Sequence, residues 1–137
     1  MIRKLYVEIA DTPQKQATGL MFRNYLPKFA GMLFQFDNPK KLKFWNMNTF
    51  IPLDIAFVSS ENKITKISRI KPYTKQSGLM TVGSDADCVI AIEANEGFFK
   101  SNGIKIGDKI KINKEDDTDI VFFDEDTREF ELKDIFN

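Results

Sequence analysis

The stretch Arg3-Lys-Leu-Tyr-Val-Glu-Ile-Ala10 sets the expected fold class, because apolar and polar residues alternate along it from Leu5 to Ile9. Alternation with a period of two is typical of a β-strand that buries one face. The same pattern returns in Ile104-Lys-Ile-Gly-Asp-Lys-Ile-Lys-Ile112, on both sides of Gly107-Asp108. Glycine and aspartate suit the tight turn of a hairpin, so this second stretch predicts a strand, a turn and a strand.

The rest of the chain predicts further short strands and two short helices. Asp11-Thr12-Pro13 is typical of a helix start, because a capping residue precedes a proline, and a helix over 13–18 would stop near Gly19. These elements together predict a mostly-β fold, a compact barrel-like or sandwich domain. The other predicted strands are 31–36, two pieces of 44–58 separated by Pro52, 64–70, 88–94, 120–123 and 128–132; the predicted turns are 37–39 and 124–127, with a helical turn at 96–101 and a long loop at 72–87.

The composition excludes several classes of enzyme. The 137 residues contain no histidine and one cysteine. Without histidine, serine–histidine and cysteine–histidine hydrolase mechanisms are excluded and the commonest metal ligand is missing, so we predict neither a metal site nor a cofactor. Cys88 has no partner for an internal disulfide, and its apolar run Cys88-Val-Ile-Ala-Ile92 predicts a buried, inert thiol.

The charges divide the chain into two parts. Residues 1–113 hold 17 basic and 10 acidic side chains, a net charge of +7, whereas residues 114–137 hold 3 and 10, a net charge of −7. We therefore predict a β-rich domain over 1–113 and an acidic extension over 114–137. Apolar residues in the extension predict a hairpin over 120–132 that packs on the domain, with its acidic edge toward the lysines of residues 40–75. No segment resembles a membrane span or a signal peptide, which predicts a cytoplasmic protein without a membrane partner.

Several short motifs in a fixed order carry a resemblance to a known family. They are Gly-Leu-Met-Phe-Arg (19–23), Gly-Met-Leu-Phe (31–34), Phe-Trp (44–45), Asn-Thr (48–49), Ile-Pro-Leu-Asp-Ile (51–55), Ile92-Glu93, Asn95, Gly97, Gly103-Ile-Lys and Gly107-Asp108. In this combination, over about residues 5–112, the chain resembles the prokaryotic family catalogued as domain of unknown function 192. The resemblance implies a small β-rich, barrel-like fold and no particular reaction. The chain departs from the family's usual Phe-Trp-Met-Lys-Asn-Thr, because Asn46-Met47 replace Met-Lys and remove a basic side chain.

The segment from Trp45 to Asp54 is the first candidate site. Trp45 offers a stacking face, Asn48 and Thr49 donate and accept hydrogen bonds, and an ionised aspartate accepts them. This mixture suits a pocket for a small polar ligand such as a sugar. The alternative is structural: the polar side chains satisfy main-chain groups in a turn, while Trp45 packs in the core.

Arg23 and Glu93 form the second candidate set. Each lies in or beside an apolar run, where a lone charge is costly, so we expect Arg23 to pair with Glu93 or with Asp54. Alternatively, Asp54 and Glu93 are the two carboxylates of a glycoside-cleaving enzyme, which requires them to lie about 5–10 Å apart across an open cleft.

A basic stretch raises the question of nucleic acid. Residues 40–75 carry eight basic and two acidic side chains, a net charge of +6, and aromatic residues lie among them. Such a surface can bind single strands, and the alternative is an ordinary solvated face. No nucleic-acid signature motif is present, so we predict no sequence-specific binding.

Three functional hypotheses are compatible with these residues. The first is a non-catalytic binding module for a small polar or carbohydrate-like ligand, with Trp45, Asn48, Thr49, Asp54, Arg23 and Glu93 as the ligand-binding residues. The alternatives are a metal-independent carboxylate enzyme and a protein-interaction module. A cleft that holds Trp45, Asp54 and Glu93 together would favour the first two hypotheses over the third. The sequence decides neither enzymatic activity nor the oligomeric state.

Overall fold

Seven strands and two short helices make up residues 3–124, the part of the chain that the computed structural model describes. This architecture confirms the prediction of a mostly-β fold with short helices. In chain order the elements are β1 (Lys4–Ala10), α1 (Pro13–Thr18), β2 (Ala30–Trp45), β3 (Leu53–Val58), β4 (Ile64–Ile70), β5 (Thr81–Asn95), α2 (Phe98–Ser101), β6 (Lys109–Glu115) and β7 (Thr118–Asp124).

The strands form one sheet in the order β4-β3-β5-β2-β1-β7-β6. Neighbouring strands are antiparallel except β1 and β2, which run parallel. A parallel pair needs a crossover connection, and α1 with residues 19–29 supplies it. Helix α1 begins as its sequence predicts, because the Thr12 hydroxyl accepts a hydrogen bond from the Lys15 N–H at 3.2 Å and Pro13 occupies the first turn.

The sheet curls into a half-barrel. Its two edge strands, β4 and β6, contact each other near their first residues. Lys63, in the turn before β4, forms an isolated antiparallel bridge with Lys109 at the start of β6. The Ile64 N–H donates to the Asp108 carbonyl oxygen, and the Ile110 N–H donates to that of Asn62, both at 2.9 Å. These contacts pair main-chain groups that an open sheet edge would leave exposed.

A buried ion pair holds this closure in place. The Arg3 guanidinium contacts the Asp108 carboxylate at 3.0 Å, and it donates to the carbonyl oxygens of Gly103 and Phe123 at 2.9 and 3.0 Å. Asp108 is 1% exposed, and within residues 3–124 its Oδ1 atom has no hydrogen-bond partner. Among these residues, Arg3 supplies the charge that compensates the carboxylate, and the Lys105 N–H adds a hydrogen bond to Oδ2 at 3.0 Å.

Buried apolar side chains fill both faces of the sheet, because neighbouring residues on a strand point to opposite sides. One cluster includes Leu5, Leu33, Ile92, Phe99 and Phe123. The other includes Met32, Phe34, Ile55 and Phe57, together with Leu20, Leu26 and Ile51 from the segments after α1 and β2. Cys88 is fully buried, as predicted.

Strands β2 and β5 extend further than the sequence pattern predicts. They pair from Gly31 with Ala94 to Trp45 with Thr81. The predicted turn at 37–39 lies inside β2, where a register shift between Gln35 and Lys40 accommodates Pro39, which has no N–H for the ladder. The predicted loop at 72–87 is wrong beyond residue 80, because β5 begins at Thr81. Residues 81–87 of β5 pair with residues 41–45, the outer part of β2.

The predicted strand, turn and strand over 104–112 is correct only in its second half. Residues 104–108 form turns, in which the Ile104 N–H donates to the Phe99 carbonyl oxygen at 2.9 Å and the Lys105 N–H donates to the Asp108 carboxylate at 3.0 Å. These local bonds replace strand pairing. Strand β6 then pairs with β7 rather than with residues 104–106.

The β6–β7 hairpin crosses residue 113, the predicted boundary of the domain. Asp116 and Asp117 have φ angles of 47° and 64°, which suits the tight turn between two antiparallel strands. The apolar residues 120–123 lie in β7, between β6 and β1. The predicted strand at 128–132 and its acidic edge lie outside the described residues. Neither helix within residues 3–124 is long and apolar enough to cross a membrane.

Candidate functional site

Glu93 lies near the end of β5, in the middle of the sheet. Its strand partners are Met32 on β2 and Ile55 on β3, so the three side chains share one face. The residue is only 6% exposed. Close packing of the main chain fixes this part of β5, because a β-carbon at Gly31 would lie 2.3 Å from the main-chain oxygen of Glu93. Glycine is therefore required at position 31.

The Glu93 carboxyl is buried without a compensating partner in the part of the chain that the structure describes. Among residues 3–124, no side chain forms a hydrogen bond or an ion pair with it, in contrast to the sequence-based expectation that Arg23 would pair with it. Burial raises the pKa of Glu93 from 4.5 to about 7. The physical cause is the loss of hydration, which penalises the charged form of the carboxyl.

Glu93 lines a cavity of about 270 Å³. The end of α1 and the segment after it form one wall, and the outer part of β2 forms another. Trp45, 49% exposed, and the exposed Lys43 lie toward the opening, whereas Glu93, Leu20, Phe34 and Thr49 are buried. The lining residues are Gln16, Ala17, Thr18, Gly19, Leu20, Met21, Phe34, Phe36, Lys43, Phe44, Trp45, Thr49 and Glu93.

Two of the less exposed polar side chains in the cavity, Gln16 and Thr49, already donate hydrogen bonds to main-chain oxygens. The Gln16 amide donates to the carbonyl oxygens of Ala10 and Gln35 at 3.2 and 2.7 Å. The Thr49 hydroxyl donates to that of Met47 at 3.2 Å. Within residues 3–124, Glu93 is thus the one charged group in the buried part of the cavity, and the walls around it are mostly apolar.

The segment after β2 holds Trp45 and Thr49 in place. The buried Asn46 amide donates to the Lys71 carbonyl oxygen at 2.9 Å and accepts from the Met80 N–H at 2.8 Å. This bridge gives a structural role to one of the two residues that depart from the usual family motif. Asn48 adopts a left-handed φ of 54°, and its carbonyl oxygen accepts from the Phe22 N–H at 2.8 Å.

Asp54 lies on the other face of the sheet from Glu93. Its strand partner on β5 is Ala94, the next residue after Glu93, and adjacent residues on a strand point to opposite sides. The Asp54 carboxylate accepts from the Gly97 N–H at 2.8 Å and from Arg69 at 3.1 Å. Asp54 and Glu93 therefore do not flank one cleft, and the geometry that a carboxylate-pair glycosidase requires is absent from this site.

Arg23 pairs with Glu8, and the expectation that its partner is Glu93 or Asp54 is wrong. The Arg23 Nη2 atom lies 2.9 Å from a Glu8 carboxylate oxygen, and both side chains are partly exposed, at 38% and 56%. The pair lines a second, larger cavity of about 560 Å³ on the other side of Gly19. Each charged side chain that lines this second cavity has an ion-pair partner, whereas Glu93 has none within residues 3–124.

The structure thus brings together Trp45, Thr49 and Glu93 from the predicted ligand-binding set, and it places Asn48, Asp54 and Arg23 elsewhere. Sequence reasoning missed Lys43 and the lining residues of α1. Alternation of Leu42, Lys43 and Phe44 is a strand signal, but it does not show which strand faces a helix end. Among residues 3–124, no group of three or more acidic or cysteine side chains is placed to hold a metal ion.

Two solved structures are similar to this chain over 77% of its length, each with a TM-score of 0.71. One is a proposed transcription regulator from Sinorhizobium meliloti 1021, 31% identical, of which 79% is covered. The other is a protein of unknown function from Novosphingobium aromaticivorans DSM 12444, 36% identical, of which 73% is covered. No curated protein matches the chain. The model of the family described as DUF192, uncharacterized ACR, matches residues 2–112. The chain therefore belongs to the DUF192 family.

Proposed function

We propose that this chain is a non-catalytic binding protein for a small polar ligand, which enters the cavity beside Trp45 and contacts Glu93. The observation that carries the proposal is the Glu93 carboxyl, 6% exposed and without a hydrogen-bond partner within residues 3–124. Buried polar groups are almost always paired, and an unpaired one is costly. A ligand that donates to this carboxyl would remove that cost.

The walls of the cavity support the same proposal. A few polar groups among apolar and aromatic side chains are typical of ligand pockets, and about 270 Å³ is close to the lower end of their usual size range. The half-exposed Trp45 offers a ring at the opening. A ligand of the size of a monosaccharide or an amino acid fits this description better than a large cofactor.

The proposal is tested by ligand-observed NMR with a panel of monosaccharides, polyols, amino acids, carboxylic acids and amines. We expect at least one class to bind, and Glu93→Gln and Trp45→Ala to weaken its binding. The matched control is Glu96→Gln, the same chemical change at an exposed carboxylate that pairs with Arg69. Binding that is unchanged by Glu93→Gln, or no binding by any class, would reject the proposal.

Nucleic-acid binding is a second candidate, because one similar structure is that of a proposed transcription regulator. Lys40, Lys41 and Lys43 are exposed on the outer part of β2, near the exposed rings of Trp45 and Phe50. We expect any binding to be weak, independent of base sequence and lost steeply as salt rises. Sequence-selective binding that survives about 200 mM salt would favour this candidate over the ligand-binding proposal.

A further inference from the structure

Within residues 3–124, the free side-chain hydrogen-bonding capacity in the buried part of the cavity consists of acceptors, whereas the exposed Thr18, Lys43 and Trp45 offer donors near the opening. The Gln16 amide donates to two main-chain oxygens, so its own oxygen remains available. The Thr49 hydroxyl also donates to a main-chain oxygen, so lone pairs remain on it. An ionised Glu93 accepts only. A sugar hydroxyl both donates and accepts, whereas this arrangement matches a ligand group that only donates.

The aromatic walls favour the same kind of ligand group. Phe34, Phe36, Phe44 and Trp45 line the cavity. Phe34 and Phe44 meet edge to face, with ring centroids 4.9 Å apart and an interplanar angle of 75°. The faces of aromatic rings attract cations, most strongly where water is excluded. The Lys40 ammonium already lies over the Phe36 ring, 4.7 Å from its centroid, so Phe34, Phe44 and Trp45 are the rings left for a ligand. The rings also provide apolar surface for a hydrocarbon body attached to the cationic group.

Within residues 3–124, two charged side chains line the cavity. Glu93 is buried on β5, and Lys43 is exposed on β2. The lining residues from α1 (Gln16, Ala17 and Thr18) are uncharged, as are those from the segments after α1 and β2. The charge that a buried ligand group meets is therefore that of Glu93, while the Lys43 ammonium moderates the potential near the opening.

We infer that the ligand of this cavity is a small organic ammonium ion, whose N–H groups donate to Glu93 and whose short apolar body packs on the aromatic walls. This inference rests on the proposed function and narrows it to one chemical class. The inference predicts an amine as the ligand, whereas the sequence suggests a sugar.

Proton release is a consequence that a neutral ligand does not share. Burial raises the pKa of Glu93 to about 7, so below that pH the empty site holds a protonated carboxyl. An ammonium ion favours the ionised carboxylate, so its binding at about pH 5.5 displaces the proton, and its affinity falls as the pH is lowered.

The experiment is calorimetric titration with n-butylammonium and with n-butanol, which has the same apolar body and no charge. At about pH 8 we expect n-butylammonium to bind at least about tenfold more tightly than n-butanol. At about pH 5.5 this preference shrinks, and the measured heat varies with the ionisation enthalpy of the buffer because a proton is released. Glu93→Gln abolishes the preference, and Glu96→Gln keeps it. Circular dichroism verifies that both variants are folded.

The outcomes separate the inference from the proposed function. If n-butanol or a monosaccharide binds as well as n-butylammonium, and Glu93→Gln weakens that binding, the cavity is a ligand site but the ammonium inference is wrong. If n-butylammonium fails to bind, the ammonium inference is wrong, and if every class of the NMR panel fails as well, the proposed function is rejected with it. Preferential binding of n-butylammonium to wild type, lost in Glu93→Gln, supports both.

Discussion

Replacement of Glu93 by glutamine is expected to make the protein more stable at alkaline pH. The carboxyl is buried, and within residues 3–124 it has no hydrogen-bond partner, so its ionisation in the folded state is penalised. Glutamine has almost the same shape and remains neutral at every pH. The comparison of Glu93→Gln with wild type therefore isolates the cost of the buried charge.

The magnitude follows from the raised pKa. Folding raises the pKa of Glu93 from 4.5 to about 7, which corresponds to about 3 kcal/mol between the two protonation states. Below pH 4.5 the carboxyl is protonated in both the folded and the unfolded chain, so the contribution of Glu93 to stability is fully present. Between pH 4.5 and 7 the unfolded chain ionises first, and this stability is lost as the pH rises. Above pH 7 the loss is constant.

The assay is urea unfolding of wild type and Glu93→Gln at several values between about pH 4.5 and about pH 8.5. We expect the two free energies of unfolding to be similar at the acidic end and to differ by about 3 kcal/mol, in favour of the variant, at the alkaline end. Other titrating groups are common to both proteins and cancel in the difference. A difference that stays within about 0.5 kcal/mol over the whole range would refute the reasoning.

Three further substitutions test the ion pairs of the fold by urea unfolding. Arg3→Met leaves the buried carboxylate of Asp108 without its cation and with the Lys105 N–H as its remaining donor within residues 3–124, and a loss of about 3–5 kcal/mol is expected; a loss under about 1 kcal/mol would show that the pair is not needed. Arg23→Ala removes a partly exposed pair with Glu8 and is expected to cost less than about 1 kcal/mol, so a larger loss would contradict the structure. Asp54→Asn weakens a buried acceptor and is expected to cost about 1–3 kcal/mol while ligand binding is unchanged, because the residue lies on the other face of the sheet from the cavity; reduced binding would contradict that placement.

Features with local causes could be predicted from the sequence. Helix α1 spans residues 13–18 as predicted, because Thr12, Pro13 and Gly19 define its ends through bonds within a few residues. Strand β1 follows its alternating pattern for the same reason. The resemblance to the family also depended on short contiguous motifs, and the match over residues 2–112 confirms it.

Features set by pairing between distant strands could not be predicted. Alternation shows which residues share a face within one strand, but the register decides which residues of two strands do. That register puts Glu93 opposite Ile55 and leaves Asp54 on the other side. The partner of Arg23 likewise depends on the path of the chain after α1, which brings it beside Glu8 on β1.

The cavity itself results from elements that are remote in the sequence. Residues 16–21 lie against the outer part of β2, while β5 contributes Glu93 between the two. The polar residues 81–87 of β5 gave no apolar signal, so the length of the β2–β5 ladder, and with it the position of Trp45, was missed. Long-range pairing overrode the local preference of these residues for a loop.

The most direct test of the account is a pH titration of the Glu93 side-chain carboxyl carbon by NMR, with and without n-butylammonium. An unpaired carboxyl in the cavity predicts a midpoint near pH 7 for the protein alone, because burial raises its pKa to about 7. Saturating n-butylammonium is expected to lower the midpoint, since the bound cation stabilises the ionised form. A midpoint near pH 4.5 in the protein alone would show that the carboxyl is hydrated or paired, and it would contradict the central claim.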